Sequence, residues 1–207
     1  MQARGKNQRG FSLIELLTVM VVITILAGWA VMGTGGFSTA SKANAAMGIV
    51  VTELRQARQL AITSRRNVLV TITPPNQIQL AIETLPGEAP AQPISPRYLN
   101  DNAKDGMQFT IFNSLPDTPM GFGNAQAINF TSSSGAAGGL FVLFTASGSF
   151  VGTTAASNFS SVGNSNLVNA SIFLGKPGDD RTARAITVLG GTGRVRSFTW
   201  DGLKWEE

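Results

Sequence analysis

The sequence predicts an α+β protein in which one long N-terminal helix packs on an antiparallel β-sheet head domain. An uncharged apolar run extends from Leu16 to Met32, and a second stretch with helical periodicity ends at about Ser64. From Asn67 onward the apolar residues alternate as they do in strands. No second helical pattern follows. This excludes a Rossmann-type fold and leaves one antiparallel sheet, or two small sheets, covered by a single helix.

The N-terminal run is long enough to cross a membrane. From Phe11 to Met32 the only charged residue is Glu15, and about 20 residues of apolar helix span a bilayer core of roughly 30 Å. A secretory signal peptide has a shorter apolar region of roughly 7 to 15 residues with a cleavage site beyond it, so we expect this segment to be retained. The preceding basic residues predict a cytoplasmic N-terminus and a periplasmic C-terminal domain. They are Arg4, Lys6 and Arg9.

The second half of the predicted helix is amphipathic. Four glycines between positions 28 and 36 precede it, and each costs a helix about 1 kcal/mol relative to Ala, so the helix should be softest there. Beyond them, apolar residues recur every three or four positions, and we expect this stripe to face the head domain. The glycines are Gly28, Gly33, Gly35 and Gly36, and the stripe consists of Ala43, Met47, Val50, Leu54, Ala57 and Ala61.

Strand candidates fill most of the head domain. Residues 68–73 and 77–82 flank a Pro-Pro-Asn turn, and alternate residues from Ile78 to Ile82 form a face that should cover the helix. Further strand candidates are 108–112, 127–130, 140–145, 167–174, 185–189 and 194–200. The predicted loops are 84–96, which contains four prolines, and the small, polar stretches 132–139 and 155–165.

The composition argues against catalysis. The chain has no Cys and no His, which excludes disulfides, thiolate and imidazole metal ligands, and a Ser-His-Asp triad. Three of the 16 basic residues precede Gly10, so 13 basic residues face 12 acidic ones in the rest of the chain. We therefore expect no enzyme activity, no cofactor and no metal site. The nearly balanced charge gives no support for tight binding to a polyanion.

Two loops and one strand of the head could carry chemistry. Residues 190–193 are glycine-rich, but no helix follows them, which favours a hairpin turn over a phosphate-binding loop. Asp179 and Asp180 are neighbours in a Pro-Gly turn and indicate a solvated loop rather than a metal pair. Arg194 and Arg196 share one strand face, on which they could hold phosphates. The next two residues of that face, Phe198 and Trp200, would stack on bases if exposed, or enter the core.

The octet Gly10-Phe11-Ser12-Leu13-Ile14-Glu15-Leu16-Leu17 resembles the processing site of type IV prepilins and type II secretion pseudopilins. The resemblance implies that a prepilin peptidase cuts after Gly10 and that the new N-terminal Phe11 is N-methylated. It also implies that Glu15 pairs with the amine of Phe11 on an adjacent subunit during filament assembly. The implied organisation is a leader peptide (1–10), a transmembrane and assembly helix (11–36), its amphipathic half (37–64) and a periplasmic head domain (65–207).

Three shorter patterns are similar to the GspH/FimT family of minor pseudopilins and minor pilins. Leu54 and Arg58 match Leu-x3-Arg, residues 144–148 read Phe-Thr-Ala-Ser-Gly, and residues 193–196 read Gly-Arg-Val-Arg. The resemblance implies a pilin-like fold. One member of that family binds DNA through a Gly-Arg-x-Arg motif, which would give this role to Arg194 and Arg196.

We therefore expect a structural minor pilin or pseudopilin, a subunit of a type II secretion pseudopilus or a type IV pilus, in the bacterial inner membrane. Its expected partners are other pilin subunits, the prepilin peptidase and the inner-membrane assembly platform. Two alternatives stay open. One is a DNA-binding minor pilin that acts in natural transformation, and the other is a membrane-tethered β domain that binds an unrelated ligand.

Overall fold

The structure, a computed structural model, describes residues 12–83, 93–94, 96–99, 106–132, 141–153 and 167–207. Within them the chain forms one α-helix, eleven β-strands and a short 3-10 helix at Asp180–Thr182. The helix is α1 (Leu13–Ser64). The strands are β1 (Val68–Thr73), β2 (Gln77–Ile82), β3 (Arg97–Tyr98), β4 (Gln108–Phe109), β5 (Ile128–Ser132), β6 (Phe141–Phe144), β7 (Phe150–Thr153), β8 (Val168–Gly175), β9 (Arg184–Leu189), β10 (Arg194–Trp200) and β11 (Trp205–Glu206).

The chain divides into two compact units, Met1–Thr39 and Ala40–Glu207. The first unit contains the start of α1, where the backbone N–H groups of Glu15 and Leu16 both donate to the carbonyl oxygen of Ser12. The second unit contains the remainder of α1 and the β-strands.

The strands of the second unit form two antiparallel sheets. The first sheet has the strand order β3-β2-β1-β6-β7, and the second has the order β11-β10-β9-β8-β4, with β5 also paired to β8. The first hairpin aligns Val68 of β1 with Ile82 of β2. An isolated bridge between Val151 and Leu167 connects the β7 edge of the first sheet to the residue that precedes β8. The two sheets therefore meet along β7.

The main core lies between α1 and the two sheets. A stripe of α1 is fully buried there, together with Val68 and Leu80 of the first sheet and Ile172 and Ile186 of the second. Burying a side chain of the size of Val, Leu or Ile contributes about 1.5–3 kcal/mol, so this stripe is a large part of what holds the head together. Its fully buried members are Ala43, Ala46, Val50, Leu54, Ala57 and Ala61.

The second sheet also covers a smaller core on its other face. Phe198 of β10 and Ala185 of β9 are register partners on that face. The indole Nε1 of Trp205 donates to the carbonyl oxygen of Pro116 at 2.9 Å, which satisfies the polar end of a buried ring. The members of this core are Phe112, Leu115, Phe173, Ala183, Ala185, Phe198 and Trp205.

The end of the helix and the bounds of three strands confirm the predictions. α1 ends at Ser64, and β1, β2 and β10 have the predicted bounds. The other predicted strands exist with different bounds. β3, β7 and β11 have no counterpart in the prediction, because pairing with a neighbouring strand defines them rather than a long apolar pattern of their own. The predicted loops 84–96 and 132–139 lie mostly outside the described residues, and 155–165 lies wholly outside them.

The buried stripe of α1 gives the first prediction. We expect Leu54→Ala to lower the free energy of unfolding by about 2–5 kcal/mol, because Leu54 is fully buried and its removal leaves a cavity between the helix and the sheets. The adjacent Arg55 is exposed, and Arg55→Ala should change the stability by less than about 0.5 kcal/mol. Denaturant unfolding of the full chain in detergent measures both. Equal effects of the two substitutions would contradict this packing.

Candidate functional site

Glu15 lies in the first turn of α1 with an exposed side chain. Its backbone carbonyl accepts the Thr18 hydroxyl at 2.9 Å, whereas the ion pairs between described residues involve other carboxylates. The predicted cleavage residues Gly10 and Phe11 lie outside the described residues. The structure thus places Glu15 on a helix but does not test its predicted partner.

The helix around Glu15 exposes apolar side chains on every side. Large aliphatic residues from Leu13 to Leu26 are between 49% and 83% exposed. They occupy consecutive as well as alternate positions, so they surround the helix instead of forming a stripe. An isolated chain in water would not be stabilised by such a surface, because its apolar area stays hydrated.

In the part of the chain that the structure describes, no helix is both long enough and apolar enough to cross a membrane.

The three short patterns of the head meet around the side chain of Arg58. The Nε–H of Arg58 donates to the carbonyl oxygens of Gly148 and Thr192, at 3.2 and 3.1 Å. Gly148 ends the Phe-Thr-Ala-Ser-Gly pattern, and Thr192 directly precedes the Gly-Arg-Val-Arg pattern. Sequence spacing alone does not reveal this contact, because the partners are 90 and 134 residues from Arg58.

Arg194 and Arg196 lie on the same face of β10, as predicted, but in different surroundings. Their register partners on β9 are Leu189 and Thr187. Arg194 is exposed, whereas Nη1 of Arg196 lies 3.4 Å from Oε2 of Glu207. The two arginines therefore do not form a pair of equally available cations.

The aromatic residues of the same face enter the smaller core. Phe198 is 3% exposed. Trp200 is partly buried, and its ring lies against that of Trp205 with the centroids 5.3 Å apart. Base stacking on Phe198 is therefore blocked. Of the two predicted positions for this ring, exposed or in the core, the structure has the second.

Asp179 and Asp180 have separate structural roles. An oxygen of Asp179 accepts the backbone N–H of Arg181, which caps the short 3-10 helix, and Oδ2 of Asp180 accepts the hydroxyl of Ser114 at 2.7 Å. Among the described residues, no group of three His, Cys, Asp or Glu side chains is positioned to hold a metal ion.

Arg184 is a buried cation that the sequence analysis did not single out. Its Nε–H donates to Oδ1 of Asn44 on α1 at 2.7 Å, and its Nη1 donates to the carbonyl oxygens of Ala183 and Arg181. Burial lowers the pKa of the Arg184 guanidinium below its ordinary value, because desolvation disfavours the charged form. The sequence gives no signal for this contact, because the acceptor on α1 is 140 positions away from Arg184.

Residues 5–31 match the family model described as the prokaryotic N-terminal methylation motif. The chain therefore carries an N-terminal methylation motif, and its described residues form one long helix and two antiparallel sheets. Among curated proteins, no sequence match is significant.

Solved structures of a minor pilin and of a minor pseudopilin are among those similar to this chain. One is the type IV minor pilin FimU of Pseudomonas aeruginosa, with 14% identity, a TM-score of 0.41 and coverage of 83% of this chain and 97% of that one. The other is the minor pseudopilin EpsH from the Type 2 Secretion System of Vibrio cholerae, with 14% identity, a TM-score of 0.42 and coverage of 74% and 94%, respectively.

The surroundings of β10 give a prediction about DNA. We expect no DNA complex in a gel-shift titration of the full chain in detergent, even at low salt, because Arg196 is paired with Glu207 and Phe198 is buried. A shift that weakens with salt and disappears in the Arg194→Ala, Arg196→Ala double variant would instead support the DNA-binding alternative. The Arg55→Ala, Lys176→Ala double variant removes two other exposed positive charges and is the matched control for a general loss of charge.

Proposed function

We propose that this chain is a structural minor pilin or pseudopilin, a subunit of a type II secretion pseudopilus or a type IV pilus. Cleavage after Gly10 would release a mature chain that begins with N-methylated Phe11. The observation that carries the proposal is the match of residues 5–31 to the N-terminal methylation motif. The same residues contain the octet that resembles a prepilin processing site, with Glu15 as the fifth residue of the mature chain.

The first part of α1 suits insertion into the inner membrane. Apart from Glu15 and two threonines, its side chains from Leu13 to Leu26 are apolar and lie on every side of the helix, and the sequence after Glu15 stays uncharged to Met32. Apolar surface on every side favours a lipid or helix-lined environment over water. The basic residues before Gly10 would keep the N-terminus cytoplasmic, so the head would lie in the periplasm. The prepilin peptidase and the assembly platform would act on this segment.

Glu15 is the residue that we assign to assembly. An ionised carboxylate is costly at membrane depth unless it has a cationic or hydrogen-bonding partner. The exposed position of Glu15 leaves it accessible to a neighbouring helix. The new amine of Phe11 on an adjacent subunit has the opposite charge and lies near the same depth, since four residues of helix rise only about 6 Å. Pairing would therefore favour the assembled helix over the free subunit.

We propose that the head domain contacts other subunits and does not catalyse a reaction. The chain has no His or Cys to act as a general base, nucleophile or soft metal ligand. Among the side chains of the head that were candidates for chemistry, Asp179 caps a turn, Asp180 accepts the hydroxyl of Ser114, and Arg196 pairs with Glu207. Arg194 is exposed.

Processing is the first test of the proposal. When the chain is co-expressed with a prepilin peptidase, we expect mass spectrometry to find a mature N-terminus at Phe11 that carries one N-methyl group. Gly10→Val should keep the leader attached, because the peptidase must accommodate the residue on the leader side of the cut bond. Gly5→Val, in the same leader, is the matched control and should still be processed. An unprocessed parent chain would favour the alternative of a membrane-tethered β domain.

Assembly is the second test. We expect Glu15→Ala to be processed and membrane-inserted normally but to be incorporated into sheared filaments at least tenfold less than the parent chain. The loss follows because the variant cannot pair with the Phe11 amine of its neighbour. Thr18→Ala, one helical turn further on, also changes a polar residue of this segment and should leave incorporation unchanged. Normal incorporation of the Glu15 variant would remove the assembly role.

A further inference from the structure

The turns between β6 and β7 and between β9 and β10 meet at one end of the head domain. The first turn belongs to the first sheet and the second turn to the second sheet. The backbone N–H of Phe150 donates to the carbonyl oxygen of Gly190 at 2.8 Å, and the hydroxyl of Ser149 donates to that of Gly191 at 3.3 Å. The two sheets are therefore joined here by hydrogen bonds, beside the helix that covers them both.

Arg58 of α1 adds a cationic donor at this junction. Its Nε–H is shared between one carbonyl oxygen of each turn, that of Gly148 and that of Thr192. A hydrogen bond from a charged donor is stronger than one between neutral groups, and Arg58 is partly shielded from water. One side chain thus bonds the helix, the first sheet and the second sheet together.

The close approach of the two turns requires glycine at two positions. Gly193 has a φ of +61°, and a Cβ atom on it would overlap the carbonyl oxygen of Gly148 and lie 3.0 Å from Cδ and Nε of Arg58. Gly148 has a φ of +82°, and a Cβ atom there would lie 3.0 Å from Cδ1 of Ile62. The left-handed backbone disfavours other residues at both positions, and at Gly193 the lack of space excludes them as well.

We infer that Arg58, Gly148 and Gly193 form a clasp that holds the two sheets closed at this end of the head. The clasp explains why a glycine precedes Arg194, since the glycine is needed for the approach of the two turns and not for contact with a ligand. It also explains why the three short patterns occur together in one chain. The inference is independent of the assembly proposal, because it concerns contacts within one subunit.

Hydrogen exchange followed by mass spectrometry on the full chain in detergent tests the clasp. We expect Gly193→Ala and Arg58→Met to raise exchange at least tenfold in both turns, residues 145–149 and 190–193, because either change opens the contact between them. Gly191→Ala is the matched control in the same turn, since a Cβ atom there meets nothing within 4 Å. Arg55→Met controls for the loss of an arginine on the same helix. Both controls should keep the exchange of the parent chain.

Exchange that stays unchanged in Arg58→Met, or rises in only one of the two turns, would overturn the clasp. The parent chain supplies a second measurement that does not depend on a variant being folded. The amides of Gly148, Phe150 and Gly193 donate within or between the two turns. If the clasp couples these turns, the three amides should open together, with rates within about threefold of one another after correction for intrinsic exchange. Independent opening of the amides would also overturn it.

Discussion

The packing of one helix against two sheets is the constraint on which the head domain depends. In the described residues both sheets turn apolar residues toward α1, so their inner faces share one cover. Four of the six fully buried helix positions are alanine, which lets the backbone of α1 approach the strands closely, while Val50 and Leu54 fill the space between the sheets. A helix with larger residues throughout would hold the sheets apart.

Only part of α1 packs against the sheets, so the arrangement of apolar residues differs between its two parts. From Ala43 to Ala61 the apolar residues form a stripe, because one face meets the sheets and the other meets water. From Leu13 to Leu26 apolar residues occupy every face. The same helix therefore carries two different apolar patterns. The change in pattern along the sequence is what allows the processing motif and the head to be assigned to separate parts of the chain.

Periodicity predicted those elements whose burial follows a regular pattern. The end of α1 and the bounds of β1, β2 and β10 follow from alternation or from a three-to-four residue repeat. The two-residue strands β3 and β11 are too short to carry such a pattern, and their pairing with β2 and β10 defines them. Glu15 and the arginines of β10 could be named from motifs, but the bonds of Arg58 and Arg184 join residues 90 to 140 positions apart and depend on the finished fold.

In β10, the sequence predicts which residues share a face of the strand but not whether that face is buried. The parity of Arg194, Arg196 and Phe198 was predictable because strand residues alternate strictly between faces. The choice between an exposed face and a core face was not predictable, since Phe112 and Leu115, which belong to the same core as Phe198, come from a distant segment of the chain. The end of the chain then brings Glu207 to Arg196.

Glu15 and Gly193 are each unfavourable at the position that they occupy, Glu15 within a helix and Gly193 beside a strand. The two costs have different physical origins. A glycine next to a strand costs conformational entropy, and here the clasp with Gly148 and Arg58 inside the same chain explains it. A carboxylate within an apolar helix costs solvation, and the ion pairs between described residues do not include Glu15. We propose that a neighbouring subunit of the filament supplies its compensation. The first cost is offset within the fold, and the second would be offset by assembly.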